Sequence, residues 1–387
     1  MKPRHVILMV LAAALVVAFT ACSPAGSGGT TPPPSASCAA PAVLPGTISA
    51  PTTLQAGCYA PASDVTVDSA LTLRPGVTIL MSAGSGIYVS ASGSLNAVGT
   101  SSQPIVVEGN GNHASGFWAG VDFSSASSAN ELTYVTVKDA GGPSDGDVYV
   151  YSGASVSITY STIENSAGYG VYAQDGALLF PAFSGNKITG NVSGAMWIPA
   201  ELMSSLDSAT DYSGNATDYV EVAGAVQNAS SVTWPALNVP YYASGDVTLQ
   251  SDVVAAPGLM MAFGNNIGLY VGDGVTNAGS LSAVGTSSQP IVFMGHGSTS
   301  PGYWADINFD TSSAANELTY VTVKGAGGPS DGDVYVYAFA GATVTNSTIN
   351  DSAGYGICVQ TNGAVTLDSP DSNSYINDPL GDVKLNC

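Results

Sequence analysis

Twenty-three residues recur almost unchanged within this 387-residue chain: "ANELTYVTVKDAGGPSDGDVYVY", Ala129 to Tyr151, returns as "ANELTYVTVKGAGGPSDGDVYVY", Ala315 to Tyr337. Only Asp139, replaced by Gly325, separates the copies. The match extends well beyond them. Leu95 to Gly170 aligns without gaps on Leu281 to Gly356 at an offset of 186, and upstream the offset is 182, pairing Val65 with Val247 and Pro75 with Pro257. A catalytic centre is rarely needed twice in one chain, whereas a building block recurs wherever the architecture recurs. The expected organisation is therefore two tandem homologous modules, residues 41–240 and 241–387.

A shorter period runs inside each module. Thr136-Val137, Thr162-Ile163 and Lys187-Ile188 follow one another at steps of 26 and 25 residues. Short alternating segments such as "LTYVTV", "DVYVY" and "GYGVYA" fill each step, separated by Gly, Asn, Ser and Pro. Alternation of that kind marks half-buried strands. A strand-and-turn unit of this size cannot bury its apolar face alone, so it must stack on its neighbours as a solenoid. At ~4.8 Å per coil, about 13 coils would make a stack of roughly 60 Å. Composition agrees with an all-β chain, because charged residues are only 9% and no helical pattern appears beyond the N-terminus.

The motifs "LTLRPGVTI" (71–79), "GSLNAVGTSSQPIVV" (93–107), "GFWAGVDF" (116–123) and "STIENSAGYGVY" (161–172), with their second copies, cover nearly everything after Tyr59. In combination they resemble the right-handed parallel β-helix proteins, the pectate-lyase-like superfold of many exported bacterial proteins. The resemblance implies the fold and an extracellular setting. It does not imply an activity, because such folds serve as polysaccharide lyases, hydrolases and adhesins alike.

Lys2 and Arg4 precede an apolar run from Val6 to Phe19 and then Thr20-Ala21-Cys22, the pattern of an export signal over residues 1–22. "FTAC" resembles a bacterial lipoprotein box, which implies lipid attachment at Cys22; ordinary cleavage near Ala21 is the alternative. Residues 23–40, beginning "SPAGSGGTTPPPSAS", read as a flexible tether. Of five cysteines, lipidation of Cys22 leaves four. Sequence proximity pairs Cys38 with Cys58 and Cys358 with Cys387, although four cysteines allow three connectivities. Export places them where disulfides persist.

Beyond Cys22 the chain keeps 28 acids against five basic residues, a formal charge of −23. That balance argues against nucleic acid, polyanionic glycans and electrostatic adhesion to anionic lipid. Any membrane contact is expected through the N-terminal lipid alone, and any partner to be a neutral glycan or another surface protein.

Candidates for chemistry are few. Arg74 lies in the turn-forming "LRPG" and its counterpart is Ala256, so it reads as a solvated turn residue. Gly295-His296-Gly297 resembles a tripeptide of β-helix polygalacturonases, but the remaining residues of that set are missing and His296 reads as a polar loop residue. His113 and His296 are the only histidines after the signal, which rules out a multi-histidine metal site. No Gly-x-Ser-x-Gly elbow supports a catalytic triad. Candidates for an acid pair at glycosidase separation, such as Asp122 or Asp306 with Asp310, are only acids on coils.

Within the repeated stretch, a period of two sends Val148 and Val150 to the core and Asp147, Tyr149 and Tyr151 outward; Asp333, Tyr335 and Tyr337 repeat this. The bland reading is a glycine-rich turn in which Asp145 satisfies backbone donors and Asp147 faces solvent. The sharper readings are a weak calcium site at Asp145, Asp147, Asp331 and Asp333, or a sugar-stacking platform on the four tyrosines. Trp118 and Trp304 read as coil-packing aromatics. No cofactor is expected apart from that calcium. The functional expectation is a non-enzymatic, lipid-tethered surface solenoid, a spacer or a weak glycan- or protein-binding adhesin; a glycan lyase or hydrolase is the alternative.

Overall fold

The computed structural model describes residues 38–142, 145–178, 180–227, 230–272, 279–328, 332–369 and 371–387. The expected export signal over residues 1–22, Cys22, most of the expected tether and Asp331 lie outside the described residues. The fold is all-β, with long parallel strand stacks consistent with a β-solenoid.

One stack runs the length of the described fold. It begins at Thr47–Ile48, Val65–Val67, Ile87–Val89 and Val121–Phe123 and passes through Gly146–Val150, Tyr169–Ala173 and Gly194–Pro199. It continues through Val220–Val226 and Tyr241–Leu249, then on to Leu269–Val271, Ile307–Phe309, Gly332–Val336, Tyr355–Val359 and Gly381–Leu385. Every pairing is parallel. At a strand spacing of ~4.8 Å the stack is roughly 60 Å long. Two further stacks flank it over the first repeat, one from Ala42–Leu44 to Lys187–Thr189 and one from Thr52–Leu54 to Phe183–Ser184.

The region joining the repeats is continuous sheet. Strand Tyr241–Leu249 pairs backward with Val220–Val226, then divides: Tyr241, Tyr242 and Ala243 lead to Met260–Phe263, while Val247, Thr248 and Leu249 lead to Leu269–Val271. Its first-copy equivalents are two strands, Gly57–Pro61 and Val65–Val67, separated at the corner. The same corner contact survives in both copies. Asp64 accepts the Gly86 N–H at 3.0 Å, and Asp246 accepts that of Gly268 at 3.0 Å.

Alternation along the strands builds the core. The inward ladder Ile48, Val67, Val89, Phe123, Val150 and Ala173 is in register and fully buried. Each such aliphatic side chain contributes on the order of 1.5–3 kcal/mol on leaving water, before entropy is counted. Trp118 and Trp304 are buried too, each donating its indole N–H at 2.8 Å, to the carbonyls of Lys138 and Lys324.

Turns leave backbone donors that no strand neighbour can satisfy, and asparagines take them up. Asn130 Oδ1 accepts the Leu95 N–H while its Nδ2 donates to the Ser125 and Ser155 carbonyls. Asn316 does the same for Leu281, Thr311 and Gly341.

Candidate functional site

Between the inward ladder through Val67 and Val89 and a second one, Val65, Ile87, Val121, Val148 and Val171, lies an outward column, because register places every second residue above its neighbour. In the first repeat that column reads Tyr88, Asp122, Tyr149, Tyr172, Trp197, Glu221 and Tyr242. Its members are partly exposed. Tyr149 and Tyr172 stack with centroids 5.0 Å apart and planes 12° apart, and Tyr172 and Trp197 at 4.9 Å and 11°. The stack ends at Trp197, whose next neighbour in register is the non-aromatic Glu221.

Polar groups hold the column in place. Gln174 donates its amide to the Tyr149 hydroxyl at 2.9 Å, and the Tyr169 hydroxyl donates to Glu221 in a short hydrogen bond. Tyr151, 37% exposed, lies 4.7 Å from Tyr149 and its hydroxyl reaches Asp122. Burial pushes the Asp122 carboxyl up to about 7, and Asp145 pushes it the same way, against the Tyr151 hydrogen bond. Beyond Glu221, Tyr242 carries His296 stacked at 4.0 Å, with Tyr219 edge-on to the imidazole at 5.5 Å. His296, expected only as a polar loop residue, is thus an aromatic member of this surface. Asp122 and Glu221 supply carboxylates at either end of the stacked rings.

The second repeat does not reproduce the column. Tyr270, Asn308 and Tyr335 lie in register, but the next positions are Cys358 and Lys384. Tyr335 keeps its glutamine, Gln360 donating at 2.8 Å, and its companion Tyr337 at 5.1 Å. The ring ladder stops there because Cys358 pairs with Cys387, their Cα atoms 6.0 Å apart. Cys38 pairs with Cys58 at 5.5 Å, so both disulfides follow the pairing by proximity.

The expected outward position of Asp147 is corrected. Asp147 and Asp333 are completely buried at the start of their strands. The preceding turn folds over that end: the Ala140 N–H points at Asp147 Oδ1 from 3.2 Å. Burial drives the Asp147 carboxyl well above its ordinary range, opposed by Ser166 and the Ala140 N–H, while Asp139 and Glu164 push it further up. Burial likewise raises Asp333 to about 9, with Asp378 and Asp351 adding to the effect. A carboxyl raised to about 9 favours its protonated form at neutral pH, as Asp333 does, and burial drives Asp147 in the same direction. Of the acids suggested for calcium, only Asp145 is exposed among the described residues.

The other sequence candidates are dispersed. Arg74 is exposed in its turn. Asp306 is buried, and the position equivalent to Asp122 is Asn308, so the second repeat carries no counterpart of the Asp122 carboxyl. Tyr172, Trp197, Glu221 and Tyr242 escaped the sequence reading, although the steps of 23 and 25 residues from Tyr149 to Tyr172 to Trp197 carry the coil period. No protein-family model matches the chain, and neither a curated protein nor a solved structure shows detectable similarity to it.

Proposed function

We propose that this chain is an exported, lipid-anchored, right-handed parallel β-helix of two modules, 41–240 and 241–387, whose first module binds neutral glycan along the Tyr149–Tyr172–Trp197 column. The right hand follows the strong preference of parallel crossover connections. The anchor rests on the N-terminal pattern ending at Cys22, and the oxidising compartment on the two cysteine pairs. One observation carries the binding reading: three partly exposed rings stacked in consecutive coils, with Asp122 and Glu221 at the ends. Rings offer apolar surface to the C–H faces of a sugar, while carboxylates and tyrosine hydroxyls take its hydroxyl groups. The net charge of the chain disfavours acidic glycans, which selects neutral ones.

Affinity electrophoresis of the mature chain through gels containing neutral polysaccharides tests this. Retardation by at least one polymer is expected, and Trp197→Ala with Tyr172→Ala should abolish it. Unchanged mobility in every polymer would reject the binding site. A second reading, a glycan hydrolase, draws on Asp122, since a carboxyl raised to about 7 among aromatics is suited to general-acid work. Release of reducing sugar that Asp122→Asn eliminates would favour it. The anchor has a separate test. Cys22→Ser should move the protein from the detergent phase to the aqueous phase.

A further inference from the structure

On the neighbouring face of the first repeat, three donors from separate segments meet. Glu108, His113 and Asp139 each offer one ligand atom, and these atoms lie within 4.8 Å of one another. His113 Nδ1 is 2.7 Å from Asp139 Oδ2. We infer that these three side chains form a binding site for a zinc-type divalent cation, present only in the first copy of the repeat.

Each donor is held by the fold. Glu108 is the penultimate residue of strand Ile105–Gly109, which pairs with Val135–Lys138, and Asp139 follows directly after that second strand. Asp139 has φ of 70°, at a corner where the stacked equivalents are Asn165 and Gly190, both also left-handed. Asp and Asn enter that region most readily among non-glycine residues. Asn165 donates to Asp139 Oδ1 at 2.9 Å and to the His113 carbonyl at 2.9 Å. That fixes one carboxylate oxygen and turns the other toward the imidazole, as outer partners of metal ligands do. Lys138 pairs with Glu108 Oε2 at 2.8 Å and so anchors that carboxylate beside the other two donors.

The duplication supplies an internal comparison. At the equivalent positions the second copy has Met294, Thr299 and Gly325, so all three donors are absent together while Lys138 persists as Lys324. Charge changes in step. Glu108, Lys138, Asp139 and Glu164 sum to −2 with a neutral imidazole, whereas Lys324 and Asp351 in the second copy cancel. Two uncompensated negative charges beside a nitrogen donor suit a divalent ion.

Donor chemistry selects the ion. Calcium and magnesium take oxygen ligands, whereas one imidazole with two carboxylates suits zinc or its first-row neighbours. Tetrahedral ligands at about 2.0–2.1 Å stand roughly 3.3 Å apart, a separation the present cluster brackets. Three protein ligands leave the fourth position open to water or a ligand group. The ring column is not involved, so this site stands or falls independently of glycan binding.

Titration calorimetry of the untagged, chelator-washed full chain with zinc chloride decides the matter. One zinc per chain at micromolar concentration is expected, with no competition from calcium in excess. His113→Thr and Asp139→Gly import the second copy's own residues, which the same corner already accommodates; each should weaken binding about tenfold or more. Melting temperature in chelator shows whether the variants fold. Glu108→Met gives a third check, and cobalt substitution should produce the intense visible bands of a tetrahedral site. Absence of one-to-one zinc binding would overturn the inference, as would undiminished binding in both His113→Thr and Asp139→Gly.

Discussion

Tyr172 stacks on Tyr149 with centroids 5.0 Å apart, but at the equivalent step of the second repeat Tyr335 is followed by Cys358. The two copies therefore stabilise the same strand pair differently, by rings in one and by a disulfide-bonded cysteine in the other. Tyr172 touches rings on both sides, Tyr149 and Trp197. Stacked pairs contribute about 0.5–1.5 kcal/mol each beyond area burial. Tyr172→Ala should cost roughly 2 kcal/mol in urea unfolding, and Tyr335→Ala about half as much, since Tyr335 contacts only Tyr337 among aromatic rings of the described residues. Equal losses at the two positions would show that the ladder adds nothing to simple burial.

Asn130 is the polar counterpart of the aliphatic ladders. Its one side chain satisfies the Leu95 N–H and two carbonyls inside a turn, and it is 1% exposed. Asn130→Ala leaves the Leu95 N–H and the Ser155 carbonyl without that partner, each costing on the order of 1–3 kcal/mol where water cannot enter, while the Ser125 carbonyl keeps the Ser155 N–H at 3.2 Å. A loss of about 3 kcal/mol or more is expected by equilibrium unfolding. Asn130→Asp should cost less at low pH than at neutral pH, because only the protonated acid has a donor to offer a carbonyl.

Much of the fold was legible because both of its periods are written in the residues. Val148 and Val150 point inward as the alternation requires, and the coil step places Thr136, Thr162 and Lys187 in register. The disulfide partners were legible because each pair lies close in sequence. Asp147 was not, since alternation assigns a strand face but says nothing of a turn folding over the strand's first residues. The Glu108, His113 and Asp139 cluster escaped for a different reason: it is assembled across a turn and an adjoining coil. Its signal lay in the differences between the aligned copies, Glu108, His113 and Asp139 against Met294, Thr299 and Gly325.

Cys358–Cys387 ties the last strand to the stack. Gly381–Leu385 pairs with Tyr355–Val359, and much of it is exposed. Closing a loop of 29 residues contributes about 3.6 kcal/mol by the chain-entropy estimate. Cys358→Ala with Cys387→Ala should therefore leave the first repeat's hydrogen exchange unchanged while residues 374–385 exchange rapidly. Uniformly faster exchange along the whole stack would instead show that the coils unfold as one unit.

The buried acids of the duplicated stretch give the chain a distinctive response to pH. In the folded state burial favours the protonated form of both Asp147 and Asp333, raising Asp333 to about 9, whereas in the unfolded chain both ionise near their ordinary value. Between these limits the folded state holds more protons, so stability must fall as pH rises. The contribution is fully present below about pH 4 and is lost progressively toward pH 9 for Asp333, with a limiting slope of about 1.4 kcal/mol per pH unit per group. Asp147→Asn with Asp333→Asn removes the titration and keeps the shape. Compared at pH 5 and pH 8.5 by urea unfolding, the double variant should lose markedly less stability than the natural chain across that interval. Parallel pH dependence in the two proteins would mean that both carboxyls ionise within the fold, and the buried aspartate of each copy would then hold charge where burial favours the protonated acid.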